Sequence, residues 1–329
     1  MTNSTTDTYE IKRKIIGFSN KLTNYVGQVQ TKFVQDMIYG LAKSKSVLLS
    51  NISDALMEPI KKINTIERLS NNLMNDLDPS IKTCYNDEVN KVVGKSPVIL
   101  VDDSDVIKPH GFHFDSLGMV RDGSSPKKTY EKGYIVTEMV AITENRKQPI
   151  SLFSHIHSST EKEYQSTNTV TYQGLDEVIS ALNKKATFVF DRGYDMNELF
   201  KYMYKKEQDF VVRLTERRNL FYKGKWYKST TLRDSRKGKI KTTVLFQGEQ
   251  KECYISHLNV QITAAKKNLR LVLVYGLGEK PMMLASNKPI LAKRMSKAFS
   301  IFIYHVGGLK NIFVLRNKSM ILKTSALEN

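Results

Sequence analysis

Two short apolar runs, Val98-Ile99-Leu100-Val101 and Thr187-Phe188-Val189-Phe190, each lead straight into an aspartate, Asp102 and Asp191. Runs of this length without alternation read as strands buried on both faces. A buried strand that closes on Asp sends its carboxylate out at the edge of the sheet. Two such ends can share a divalent cation. Either run taken alone would serve as well for a solvated strand end or a helix cap. The organisation of the rest of the chain separates these readings.

The chain has 329 residues, enough for one large or two moderate domains. It carries 51 Lys and Arg against 33 Asp and Glu, a net charge of +18 spread over the whole length. Such a field attracts polyanions, and nucleic acid is the polyanion that rewards each Lys or Arg reaching a phosphate. Cys84 and Cys253 form no CxxC pair and have no His at ligand spacing, so neither zinc nor a disulfide framework is implied. The first residues lack a basic segment followed by an apolar core, and no apolar run approaches a membrane span. The expectation is a cytoplasmic protein with no membrane partner and no small-molecule substrate.

Residues 9–95 show helical periodicity, with Phe33, Met37, Ile38, Leu41 and Ala42 on one face. Between residues 38 and 70, short helical stretches separated by breaks fit a helix-turn-helix. In that reading Lys61, Lys62, Asn64, Thr65 and Arg68 occupy the start of the second helix, where base and phosphate contacts are made. An ordinary helical hairpin with a solvated basic face fits the same pattern.

After Gly94 the pattern changes to strands, expected over 97–102, 134–143, 149–155, 187–190 and 210–214, with helices over 174–183 and 196–207. The resulting order, β-β-β-α-β-α-β, is that of a ribonuclease-H-like α/β core. Asp102 then lies on the first strand and Asp191 just after the fourth. Residues 217–290 read as a β-rich insertion, with runs such as Leu269-Arg-Leu-Val-Leu-Val-Tyr275 between Gly, Asn and Lys punctuation. The expected domains are 1–95, helical and DNA-binding; 96–216, the catalytic core; 217–290, the insertion; and 291–329, a tail of different character.

The segments Pro97-Val-Ile-Leu-Val-Asp102-Asp-Ser-Asp105, Phe188-Val-Phe-Asp191-Arg-Gly-Tyr194 and Phe210-Val-Val-Arg213, together with the insertion, resemble the DDE transposases of IS4-type insertion sequences. The resemblance spans roughly residues 9–290. It implies that Asp102 and Asp191 are the first two of three carboxylates holding two Mg²⁺ ions. It also implies that double-stranded DNA, as element ends and target, is the partner, and that the working form is a synaptic homodimer. Asp103 rivals Asp102, being adjacent and on the opposite face of a strand; Asp102 is preferred because it directly follows the apolar run. Arg192 and Arg213 are candidate phosphate contacts or structural ion pairs. His110, His113, His155 and His157 are read as structural or DNA-facing, because a two-metal site generates its own nucleophile.

The chain departs from the family where the third carboxylate is due. The family pattern Tyr-x-x-Arg-x-x-x-Glu-x-x-x-x-x-x-Lys is absent after Ser286, and no Asp or Glu lies between Glu279 and Glu328. DNA able to encode residues 305–324 also permits, one base earlier, RWRIEEYFRFKKQKYDFEN; extended upstream it contains YLSRWRIEEYFRFKK, with Tyr, Arg, Glu and Lys at the family spacing. Residues 291–329 are therefore read as an out-of-frame tail beginning near Ile290 to Lys293. The chain as written is expected to be catalytically inactive. The alternative role is that of a DNA-binding protein competing with intact transposase for the element ends.

Overall fold

The computed structural model describes residues 3–111, 113–122, 129–143, 149–246 and 249–288. The tail 291–329, with its expected frame change, lies outside them. The chain divides into two compact units, with the boundary between Val92 and Val93.

Among the described residues, the first unit has five helices: α1 (Asn3–Leu22), α2 (Gln28–Ser44), α3 (Leu49–Leu56), α4 (Lys62–Leu73) and α5 (Pro79–Val92). Their apolar stripes meet in a core of Leu22, Phe33, Val34, Ile52, Leu69 and Ile81. Gly40 lets α2 and α3 come close, since a Cβ there would stand 2.5 Å from Ile52 Cγ2. Left-handed residues, Lys45 and Met57, stop α2 and α3.

A charge cluster closes this bundle. Glu58, between α3 and α4, accepts from Lys32 at 2.8 Å, Thr65 at 2.9 Å and Arg68 at 2.7 Å. Lys32 and Arg68 also pair with Asp36, at 3.0 and 2.8 Å. Burial would raise the Glu58 carboxyl, but these hydrogen bonds outweigh it and hold the pKa to about 2.

The second unit is built on one mixed sheet. Its strands are β1 (Val98–Ile107), β2 (Gly118–Arg121), β3 (Tyr130–Ile142), β4 (Pro149–His157), β5 (Thr187–Phe190) and β6 (Asp209–Arg213), with α6 (Thr167–Leu182) between β4 and β5 and α7 (Asn197–Lys205) between β5 and β6. β1, β3 and β4 form an antiparallel meander, while β5 pairs parallel to β1 and β6 parallel to β5. That connectivity is ribonuclease-H-like. α6 begins at Ser166, whose hydroxyl accepts from the Thr169 amide.

The β-rich segment continues the same sheet. It comprises β7 (Asn219–Tyr222), β8 (Lys225–Lys228), α8 (Ser229–Asp234), β9 (Ile240–Phe246), β10 (Glu249–Ile262), β11 (Lys267–Tyr275) and β12 (Met282–Ser286). β12 pairs antiparallel to β6, so the strand order runs without a gap from β2 through β6 to β12, β11 and β10. One apolar cluster joins Leu100, Val189 and Val211 of the core to Val272, Val274 and Leu284 of the insertion.

Two expectations are corrected here. The first strand does not stop at Asp102 but runs to Ile107, because Asp102 to Ile107 keep pairing with Glu138 to Gly133 of β3. The strand β2, also paired to β3, had no apolar run to announce it.

Candidate functional site

In the sheet, Val140, Leu100, Val189 and Val211 lie in register across β3, β1, β5 and β6, on one buried face. Side chains return to the same face every second residue. One step further out, that face carries Glu138, paired with Asp102. The row continues through Asp191, two residues beyond Val189, and Arg213, two beyond Val211. The last parallel pair is Val101 with Phe190, and Asp191 keeps an extended backbone (φ −74°, ψ 177°). Asp102 and Asp191 thus each follow directly on the last pair of the parallel ladder between β1 and β5, on the same face of the sheet.

Asp191 is 45 % exposed as a side chain, yet its Oδ1 is buried and makes no hydrogen bond. Arg213 Nη1 lies 3.8 Å from this Oδ1, an ion pair too long for a hydrogen bond. A desolvated carboxylate oxygen without a hydrogen bond is a donor of the kind a hard divalent cation takes. Glu138 is 3 % exposed, and its Oε1 accepts from Ser154 at 3.4 Å. Among the described residues, no group of three His, Cys, Asp or Glu side chains is placed to hold a metal ion.

Asp103 points to the opposite face. Its Oδ1 accepts from Thr137 Oγ1 at 2.5 Å and its Oδ2 from the Tyr194 hydroxyl at 2.7 Å. Thr137 Oγ1 in turn lies 3.0 Å from His157 Nε2. Thr137 has one proton and gives it to Asp103, so His157 donates through Nε2–H. Burial raises the Asp103 carboxyl, against the pull of these two hydrogen bonds. Burial, aided by His155, lowers His157.

Beyond the 3₁₀ turn Arg192–Tyr194, the buried Asp195 is clasped by the loop after β6. Its Oδ2 accepts from both the amide and the hydroxyl of Thr215, at 2.7 and 2.8 Å. Its Oδ1 accepts from Arg218 Nε at 2.7 Å.

The residues expected at DNA separate into two groups. Lys61, Lys62 and Asn64 are exposed at the start of α4, as is Arg192 after β5. Lys62 pairs with Asp54 at 2.7 Å. Thr65 is corrected: it is 1 % exposed and donates to Glu58, so it faces the bundle rather than a ligand. Arg68 is half-buried and holds Asp36 and Glu58. The sequence reading missed Glu138, Tyr194 and Asp195. The last two follow Asp191 within the run Asp191-Arg-Gly-Tyr-Asp195, which was the available signal; Glu138 becomes visible only through strand register.

The transposase DDE domain family matches residues 94–288, more than half of the chain, and the chain belongs to that family. No curated protein sequence matches it. Among solved structures it is similar to the piggyBac transposase in a synaptic complex with hairpin DNA, at 12 % identity and a TM-score of 0.45. That match covers 95 % of this chain but 66 % of the other. It is also similar to the NurA nuclease from Sulfolobus solfataricus (10 % identity, TM-score 0.31, covering 78 % of this chain and 85 % of that one). A third is the endonuclease V of Bacillus subtilis (13 % identity, TM-score 0.25, 76 % and 84 %). Among the described residues no helix is long and apolar enough to cross a membrane.

Proposed function

We propose that this chain is the transposase of an IS4-type insertion sequence, acting on double-stranded DNA in the cytoplasm as a synaptic homodimer. The observation that supports this reading is that Asp102 and Asp191 each follow the last pair of the parallel ladder between β1 and β5, two residues beyond the paired Leu100 and Val189, in a ribonuclease-H-like sheet. Asp102 and Asp191 would hold Mg²⁺, which when bound would supply Lewis-acid polarisation of a phosphodiester and a nucleophile at neutral pH. Arg213, beside Asp191, neutralises the carboxylates and meets a DNA phosphate; the exposed Arg192 adds a second phosphate contact. The helical unit recognises the element ends, with Lys61, Lys62 and Asn64 as the contacts that remain available on α4.

The tail 291–329 is out of frame, and the third carboxylate of the family is lost with it. The chain as written binds ends without cutting them, and competes with intact transposase. Both parts are tested by restoring the frame one base earlier near the codons for Ile290 to Lys293 and assaying Mg²⁺-dependent nicking of DNA carrying the element's ends. The restored protein should nick, while the present chain and restored Asp102→Asn should not. Nicking by the present chain would remove the frame argument. Nicking by restored Asp102→Asn would remove the metal assignment.

A further inference from the structure

The face of the sheet turned away from Asp102 and Asp191 carries a polar chain that nothing in the proposed chemistry uses. Tyr194 and His157 are buried at its two ends, and Asp103 and Thr137 link them. Its members come from four separate places: β1 one residue after Asp102, β3 one residue before Glu138, the last residue of β4, and the turn three residues after Asp191. The bond from Tyr194 to Asp103 spans 91 positions of sequence and connects the segment bearing one carboxylate to the segment bearing the other.

We infer that Asp103, Tyr194 and Thr137 are positioning residues that lock Asp102 and Asp191 side by side from the opposite face of the sheet. The parallel ladder between β1 and β5 ends at Val101 and Phe190, so it holds neither aspartate directly. Asp191 sits where the chain leaves the strand for a 3₁₀ turn, and its carbonyl accepts from the Tyr194 amide at 3.1 Å. Tyr194 closes that turn, and its phenol anchors it to the strand carrying Asp102. Thr137 fixes the other oxygen of Asp103, so the carboxylate cannot rotate away from the phenol. His157 completes the chain by donating to Thr137, which leaves the threonine proton committed to Asp103. Supporting groups of this kind orient ligands without touching the ion, and their loss weakens metal binding about 10- to 100-fold.

This inference rests on Asp102 and Asp191 being the metal ligands. It also gives a role to Asp103, the residue that competes with Asp102 in sequence. The test is Mn²⁺ binding to the full chain, followed by the electron paramagnetic resonance signal of free Mn²⁺, with the thermal midpoint measured in parallel. Tyr194→Phe should weaken Mn²⁺ about tenfold, and Asp103→Ala by at least as much. Asp103→Asn, whose amide can still accept from Tyr194, should remain within about threefold of the parent. Asp102→Asn should abolish binding. If Tyr194→Phe and Asp103→Ala lower the thermal midpoint but leave the Mn²⁺ affinity unchanged, the positioning role falls and the chain is merely structural. If Asp103→Asn abolishes binding while Asp102→Asn does not, Asp103 is itself the ligand and the inference is overturned. A parent chain that binds no more Mn²⁺ than Asp102→Asn removes the metal assignment and the inference together.

Discussion

Arg218 closes over Asp195, with Nε 2.7 Å from Oδ1 and Nη2 2.7 Å from the Asp195 carbonyl, while its guanidinium lies 5.4 Å from the Phe200 ring. The Asp195 side chain is 1 % exposed and that of Arg218 13 %, so this pair is largely desolvated. Removing one partner of such a pair strands the other. Arg218→Ala should destabilise by about 3–5 kcal/mol in urea unfolding. The double variant Arg218→Ala with Asp195→Ala should lose clearly less than the sum of the two singles, since the shared interaction is removed only once. Additive losses would show that the two residues act separately.

Glu58 gives the helical unit an acid-sensitive clasp. Its pKa is held at about 2, against an ordinary 4.5, by Lys32, Arg68 and Thr65. The unfolded chain therefore takes up the proton first as pH falls, and stability present above about 4.5 is lost progressively toward 2. Glu58→Gln should lower the thermal midpoint of the helical circular-dichroism signal at pH 7. It should also flatten the decline between pH 4.5 and pH 2. An unchanged acid limb would mean that other carboxylates govern it.

Two glycines should respond oppositely to alanine. Gly133 pairs with Ile107 at the end of the β1–β3 ladder, and a Cβ there would stand 2.4 Å from the Val106 carbonyl oxygen, a backbone atom with little room to yield. Gly133→Ala should cost about 1–3 kcal/mol. Gly17 lies inside α1 with nothing within 4 Å of a built Cβ, and Gly17→Ala should stabilise by about 0.5–1 kcal/mol. Urea midpoints of the two variants test both signs.

Asp191 carries a buried oxygen with no hydrogen bond. An arrangement built for a cation is unfavourable without one. Asp191→Asn should leave the thermal midpoint in chelator unchanged or higher. The parent chain should gain midpoint on addition of Mn²⁺ and the variant should not. A variant that is strongly destabilised in chelator would show that Arg213 already satisfies the carboxylate.

The two buried strands that lead into Asp102 and Asp191 are legible because apolar runs ending in Asp are short-range patterns, and most of the order of strands and helices follows from the same local signals. The partner of each residue across the sheet was not legible. The outer half of β1 reads Asp-Asp-Ser-Asp, a polar stretch with no apolar pattern, and is a strand only because β3, some thirty residues away, pairs with it. Asp102 was preferred for ending a strand that in fact continues; its place on the face of Asp191 is a matter of register. Thr65 looked like a solvent-facing polar residue on a basic helix, and it is buried because Glu58, outside that helix, reaches its hydroxyl. Tyr194 read as part of a motif, but its partner Asp103 is 91 positions distant.

The pairing of β12 with β6 has a consequence for any shortened form of this protein. Val211 and Val212 on β6 are covered on their outer side by Ser286 and Ala285, and the Leu214 amide is taken by the Met283 carbonyl. A chain stopping before Met282 would leave β6 as a bare hydrophobic border with open amides and carbonyls, a template for joining other chains edge to edge. Met282 to Ser286 thus act as a seam: five residues that stitch the core to the strands beyond it and leave β6 no open border at which separate molecules could be woven together.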